Sequence, residues 1–132
     1  MSTEARLDAI GIVVSDMAKS LAFYRRLGLD APASADGEGH VEVGLAGGLR
    51  LLFDTEDVVR SFHADWTPTR GGRLGLAFAL PDPAAVDALH GELVAAGYHS
   101  ELAPFDAFWG QRYAVVHDPD GNGVDLFAPS AS

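Results

Sequence analysis

The chain carries the same order of hydrophobic and polar positions twice. Each half opens with a short apolar run, at 9–14 and at 75–80, whose length predicts a strand rather than a helix. An acidic residue follows, Asp16 in the first half and Asp82 in the second, and such a residue can cap the first turn of a helix. The two copies begin half a chain length apart, which indicates a duplicated module.

Apolar residues at helical spacing come next in both halves. They are Met17, Leu21, Tyr24 and Leu27 in the first copy, and Val86, Leu89, Leu93 and Ala96 in the second. Gly28 and Gly97 then supply the left-handed residue that ends a helix. Extended chain with glycine-rich turns follows at 40–53 and 112–127, which predicts hairpins.

We therefore expect one α+β domain over residues 1–132 that is built from two βαβββ modules. Module one is expected at 5–55 and module two at 73–129. The polar stretch between them, 56–72, contains a Pro and a Gly-Gly pair and predicts a linker. Chance similarity of two α+β segments is the alternative, but strand, cap, helix stop and hairpin all recur in order.

Composition narrows the classes of function. The 132 residues carry a net charge of −10, which disfavours binding to nucleic acid or to anionic membrane surfaces. A hydrophobic content of 48% excludes a disordered chain, and the absence of cysteine excludes disulfides, thiolate nucleophiles and Cys-ligated metals. The N-terminus lacks a basic and apolar leader, and no apolar run is long enough to span a membrane. We expect a cytoplasmic protein.

Two motifs carry a family resemblance. SDMAKSLAFYRRLG at 15–28 and WGQRYAVVHDPDGNGVDLF at 109–127 resemble the vicinal oxygen chelate superfamily, which includes glyoxalases, bleomycin resistance proteins and dioxygenases. The resemblance implies two modules whose curved sheets surround a cup, in a homodimer whose partner chain completes the cup. It also implies a divalent metal in the family's enzymes, held by His, Glu or Gln on four strands.

The residues at those ligand positions do not favour a metal. The first-strand positions hold Ala9 and Gly75, and the last-strand position of module one lies near Arg50 or Leu51. Only Asp125 keeps a possible ligand. One carboxylate is too few for a transition metal, so we expect no metal, no cofactor and no catalytic residue carried over from the family.

Strand alternation predicts small side chains on the cup side of both first strands. They are Ala9, Gly11 and Val13 in the first copy, and Gly75, Ala77 and Ala79 in the second. Close approach of another backbone is the alternative explanation, but a vacant metal site favours an open cavity.

Aromatic residues predict the walls of that cavity. Phe105, Phe108 and Trp109 lie within five positions in a segment that we expect to be a loop before a strand. Phe53 ends the last strand of module one, and Trp66 lies in the linker. Core packing or a dimer interface is the alternative for these rings, but a Trp can stack on a planar ring and still donate its N–H.

A narrower resemblance points to antibiotic-binding self-resistance proteins of the mitomycin-binding type. It rests on the segments around Asp16, Phe53 and Asp65-Trp66, and on 109–129. It implies that Trp109 stacks on a planar drug at a site between two chains. The polar residues expected to complete the binding site are His40, Glu42, Gln111, Arg112, Tyr113 and Asp125.

The leading hypothesis is therefore a homodimer that sequesters a planar aromatic antibiotic without transforming it and so confers resistance. Bleomycin, mitomycin, quinone and enediyne drugs are the ligand types that the resemblance implies. The alternative is a glyoxalase-like lyase or isomerase, or a dioxygenase, with an unconventional or absent metal site and Asp125, Glu42 or His40 as the base. A metabolite sensor whose cup is a relic is the third possibility.

Overall fold

The computed structural model describes residues 5–130, which fall into two units divided between Pro68 and Thr69. The first unit contains β1 (Ala9–Val14), α1 (Met17–Arg26), β2 (His40–Gly44), β3 (Arg50–Thr55) and α2 (Glu56–Phe62). The second contains β4 (Leu76–Ala79), α3 (Pro83–Ala95), β5 (Ser100–Ala107), β6 (Gln111–His117) and β7 (Gly123–Pro129). No helix within the described range is long and apolar enough to cross a bilayer.

Side-chain caps and glycines set the ends of α1 and α3 as the sequence predicts. Asp16 and Asp82 each accept a hydrogen bond from the backbone N–H three residues further on, at 3.0 and 2.8 Å. Gly28 and Gly97 adopt φ values of 93° and 99°, a conformation that side-chain-bearing residues rarely adopt. The following backbone N–H groups return to the last helical turn and close both helices.

The two sheets confirm the α+β class and the repeated module. In the first, β3 lies between β1, to which it is parallel, and β2, to which it is antiparallel. In the second, the order is β4-β7-β6-β5, with β4 parallel to β7 and the other pairs antiparallel. The sheet of the first module has three strands rather than four.

A 3-10 helix, Ala33–Gly37, lies between α1 and β2 where the repeat predicts another strand. Pro32 precedes it and has no N–H to give to a strand ladder. Arg25 of α1 fixes this segment, because its guanidinium donates to the carbonyl of Ala31 at 2.6 Å and to the carboxylate of Asp36 at 2.7 Å. These local contacts replace the strand pairing.

The predicted linker at 56–72 contains a helix, α2. Thr55 caps α2 through a hydrogen bond from the Val58 N–H at 3.3 Å, and Glu56 and Asp57 place acidic groups in its first turn. Val59 is the buried residue of α2. The segment is mostly polar, so its composition alone predicted a linker and not a helix.

The expectation of a loop around Phe105 is wrong. The segment forms β5, an edge strand whose pairing with β6 shifts register between Ser100 and Leu102 and again before Phe105. Pro104 lies within this irregular stretch, and an edge strand tolerates the N–H that proline lacks. The turn that follows carries Phe108 and Trp109.

Candidate functional site

The second sheet has one face packed on α3 and one face away from it, which we call the open face. Val124, Leu126 and Ala128 of β7 are fully buried on the α3 side. Asp125 and Phe127 alternate with them and therefore lie on the open face. The strand register adds residues of β4 and β6 to the same face. They are Ala77 and Ala79 on β4, and Gln111, Tyr113, Val115 and His117 on β6.

Four rings at the β5–β6 turn form an aromatic cluster of Phe105, Phe108, Trp109 and Tyr113. The Trp109 ring lies 5.2 Å from Tyr113, 6.4 Å from Phe105 and 5.0 Å from Phe108, and all three contacts are edge-on. The Trp109 indole N–H donates to Gln111 Oε1 at 2.8 Å, which fixes the ring orientation. Trp109 nevertheless remains 48% exposed.

A cavity of about 480 Å³ lies beside the aromatic cluster within the second unit. Its walls are the glycine-rich segments 71–75 and 121–123, and its side-chain lining comes from β5, β6 and β7. Tyr113 belongs to both the cavity and the aromatic cluster. A methyl group on Gly71 would lie 2.9 Å from the Gly121 carbonyl oxygen, so the two glycine walls meet backbone to backbone.

Two polar pairs line the cavity. The Tyr113 hydroxyl interacts with the Asp125 carboxylate, and burial together with this carboxylate raises the pKa of Tyr113 to about 12. His117 Nε2 lies 2.7 Å from Glu101 Oε1, and the His117 ring packs 4.8 Å from that of His99. The cavity therefore offers carboxylates and a neutral phenol.

In the first unit, His40 and Glu42 lie on the sheet face opposite α1, within an ionic network. His40 Nδ1 lies 2.5 Å from Asp54 Oδ1, and its Nε2 lies 2.9 Å from Glu42 Oε2. Arg50 donates to Glu42 and, at 2.6 Å, to Asp8. Hydrogen bonds to Glu42 and then Asp54 raise the pKa of His40. Both ring nitrogens are engaged, so His40 is poorly placed to act as a base.

Two residues that the sequence assigns to the site lie elsewhere. Phe53 is 0% exposed, with its ring 5.5 Å from Tyr24 of α1, so its assignment as a ligand-binding wall is wrong and it is core. Arg112 alternates with the open-face residues of β6 and pairs with Asp87 of α3 at 2.9 Å. Its assignment to the binding site is also wrong, because it serves as a structural ion pair on the helix side.

Trp66 lies in the first unit and has a partner there. The Arg60 guanidinium carbon lies 5.4 Å from the centre of the Trp66 ring, a cation–π contact across the end of α2. Phe108 is 97% exposed at the tip of the β5–β6 turn. Neither position tests the ligand-binding roles expected for these residues.

The comparisons identify the family. The model of the glyoxalase/bleomycin resistance protein/dioxygenase superfamily matches residues 6–126. The chain belongs to that superfamily. No curated protein sequence has significant similarity to it.

Solved structures share the fold at low sequence identity. A glyoxalase/bleomycin resistance protein/dioxygenase family enzyme from Burkholderia phytofirmans PsJN is 24% identical over 95% of this chain and 99% of its own, with a TM-score of 0.79. A glyoxalase-related enzyme from Fulvimarina pelagi is 22% identical over 93% and 87%, with a TM-score of 0.78. Hypothetical protein SA1046 from S. aureus is 17% identical over 96% and 95%, with a TM-score of 0.77.

Strand register corrects one position of the superfamily's metal site. Asp125 pairs with the third residue of the apolar run at 75–80, and the third residue of the first run, Gly11, pairs with Leu52. The counterpart of Asp125 in the first module is therefore Leu52, whereas the sequence placed it near Arg50 or Leu51. A single repeat offset could not fix this position, because Gly11 and Ala77 are 66 residues apart whereas Leu52 and Asp125 are 73 apart.

The residues at the four positions do not fit a divalent metal. Ala9, Gly75 and Leu52 have no side-chain lone pair to donate, and Asp125 alone supplies one carboxylate. Within residues 5–130, no group of three or more His, Cys, Asp or Glu side chains is arranged to hold a metal ion.

Sequence reasoning missed Glu101, His117 and the glycine walls as parts of the cavity. Glu101 escaped notice because β5 was expected to be a loop, where strand alternation does not apply. His117 was placed beside a turn, although it is the last residue of β6. The repeated glycines at 71–72 are a sequence signal for close backbone approach, which the linker assignment obscured.

Proposed function

We propose that this protein binds a planar aromatic small molecule and holds it without chemical change. The observation that carries the proposal is the half-exposed Trp109 ring, fixed edge-on to Phe105 and Tyr113 beside a cavity that Tyr113 also lines. A planar ligand stacking there gains apolar burial at about 25 cal/mol per Å². Each well-oriented aromatic pair adds about 0.5–1.5 kcal/mol.

Rigidity of the cluster supports this function. The hydrogen bond from Trp109 to Gln111 and the three edge-on ring contacts hold the indole in place before any ligand arrives. A preorganised ring loses little conformational freedom on binding, so more of the stacking energy appears as affinity. Binding requires no nucleophile and no metal.

The test uses acridine, a neutral tricyclic probe, and the two tryptophans of the chain. In a Trp66→Phe background Trp109 is the only indole, and acridine is expected to quench its fluorescence with unchanged affinity. Trp109→Ala is expected to weaken acridine binding, measured by calorimetry, by about tenfold or more. Unchanged affinity in Trp109→Ala, or no binding by the wild-type chain, would refute the proposal.

Sequestration of an antibiotic is the biological form of this proposal. Bleomycin, mitomycin, quinone and enediyne drugs contain planar or conjugated groups of the kind that the aromatic cluster suits. Expression of the protein in a bacterium that is sensitive to these four drug types is expected to raise the minimal inhibitory concentration of the drug that the protein binds. The drug recovered from the complex should have an unchanged mass, whereas a modified product would favour an enzyme.

A homodimer with the binding site at the subunit interface completes the proposal. Phe108 supports it, because it lies 5.0 Å from the half-exposed Trp109 and extends the exposed apolar patch of the aromatic cluster. Sedimentation velocity of wild-type and Phe108→Ser chains tests it. Dimers of the wild type that dissociate in the variant are expected, and a monomeric wild type would contradict the expectation.

A further inference from the structure

We infer that the ligand carries a cationic group, a protonated amine or an amidinium, and that the Asp125 carboxylate binds this group in the cavity beside the aromatic cluster. The inference rests on the proposed function, since it names the charge class of the molecule that stacks on Trp109. It follows from the neighbours of Asp125 in the sheet, from the hydroxyl of Tyr113, and from the charges that line the cavity.

The neighbours of Asp125 leave its charge unmatched. Its register partners are Ala77 on β4 and Val115 on β6, both apolar. His117, the basic residue on the same face of β6, is paired with Glu101. Among residues 5–130, no Lys, Arg or His forms an ion pair with it. An opposite charge within about 4–6 Å favours the ionised form of a carboxylate, so a cationic group of the ligand in the cavity would supply the missing counter-ion.

Tyr113 lies beside Asp125 in the cavity and leaves room for such a ligand. Tyr113 and Asp125 line the same cavity, and a phenol is protonated at neutral pH, so the Tyr113 hydroxyl can donate its hydrogen to the carboxylate. A carboxylate has two oxygens and several lone pairs, so one phenol donor leaves acceptor sites for a ligand in the cavity that Asp125 lines. Because Tyr113 also contacts Trp109, the charged group and the stacking surface are adjacent.

The remaining charged residues of the cavity do not outweigh Asp125. Glu101 is paired with His117, so this carboxylate already has a partner. Arg73 is the opposing cation, but it lies exposed in the loop of the glycine wall, where water screens its charge. Over the whole chain, a net charge of −10 attracts cations to the surface and raises their rate of encounter.

Three probes with one ring system separate charge from stacking. They are 9-aminoacridine, a cation at slightly alkaline pH, acridine, which is neutral, and acridine-9-carboxylate, an anion. Calorimetry with the full wild-type chain is expected to give the tightest binding for 9-aminoacridine, by about tenfold or more over acridine, because a hydrogen bond to a charged group contributes more than a neutral one. This comparison needs no variant.

Asp125→Asn removes the charge and keeps the shape. It is expected to abolish the preference for 9-aminoacridine, so that the affinities of the variant for 9-aminoacridine and acridine agree within about twofold. Asp106→Asn is the matched control, since it makes the same change in net charge at a β5 carboxylate that faces Arg112 on the other side of the sheet. The control is expected to keep the preference.

The outcomes distinguish this inference from the proposed function. Equal affinity for the three probes, tighter binding of the carboxylate, or a preference that survives in Asp125→Asn would overturn the cationic ligand while leaving stacking on Trp109 intact. Failure of all three probes to bind, or binding that Trp109→Ala does not weaken, would overturn both. An anion preference lost in Arg73→Gln would reassign the charge recognition to the glycine wall.

Discussion

Replacing Phe53 with alanine tests whether this ring is core or part of a ligand site. Phe53 is 0% exposed and packs 5.5 Å from Tyr24 between the sheet and α1. Removal of a fully buried phenylalanine loses the transfer free energy of the ring and leaves a void, at a cost of about 3–5 kcal/mol. Domains of this size are stable by about 5–15 kcal/mol, so the variant is expected to fold with much reduced stability.

The assay is urea unfolding of the first unit. In a Trp109→Phe background, Trp66 is the only indole and reports on the unit that contains Phe53. With a slope of about 2 kcal/mol per molar urea, the midpoint is expected to fall by about 2 M. Phe108→Ala makes the same chemical change at a ring that is 97% exposed and is expected to shift unfolding by less than about 0.5 kcal/mol.

Equal effects of the two substitutions on stability would refute the placement of Phe53 in the core. The reasoning would also fail if Phe53→Ala, in a chain with intact Trp109, weakened acridine binding about tenfold while the unfolding midpoint stayed unchanged. Loss of stability with unchanged acridine affinity is the expected result.

Three other predictions concern protonation and backbone geometry. The His40 ring, followed by NMR, is expected to titrate above its ordinary pKa of 6.5, and Glu42→Gln should lower that pKa. The protonated His40 ring stabilises the folded state fully below pH 6.5, and this contribution is lost as the pH rises through the pKa of the folded state. Alkaline ultraviolet titration is expected to show Tyr113 ionising with a pKa of about 12. Because the unfolded chain loses this proton near pH 10, the free energy of unfolding is expected to fall as the pH rises above 10. Ionisation of all tyrosines near pH 10 would contradict this. Gly71→Ala is expected to lower the free energy of unfolding by more than about 1 kcal/mol, because φ is +73° and the added methyl meets a backbone oxygen. Gly72→Ala, with no atom within 4 Å of the added methyl, is the control and should be close to neutral.

Local chemistry made part of the fold predictable from the sequence. Helix caps at Asp16 and Asp82 and helix stops at Gly28 and Gly97 act through hydrogen bonds a few residues away. The alternation of the run 75–80 likewise depends only on strand geometry. Such features need no knowledge of distant residues, and the structure confirms them.

Composition predicted the wrong local structure for two segments, one with a single buried residue and one that forms an irregular strand. The stretch 56–72 is polar enough to indicate a linker, yet Val59 alone gives α2 a buried face. The segment around Phe105 contains Pro104 and lacks regular alternation, because β5 shifts its register against β6 twice. In both cases a contact with another element, not the local sequence, decides the structure.

The sequence by itself determined the duplicated module, the helix ends, the superfamily resemblance and the loss of side-chain metal ligands at Ala9 and Gly75, because each depends on local order or on residue identity. Only the tertiary structure decided which faces the side chains occupy. A shift of one residue in register moves a side chain to the other face of a sheet. The strand pairs were therefore needed to place Phe53 on the core side and to identify Leu52 as the counterpart of Asp125. The cavity likewise depends on glycines brought together from distant parts of the chain.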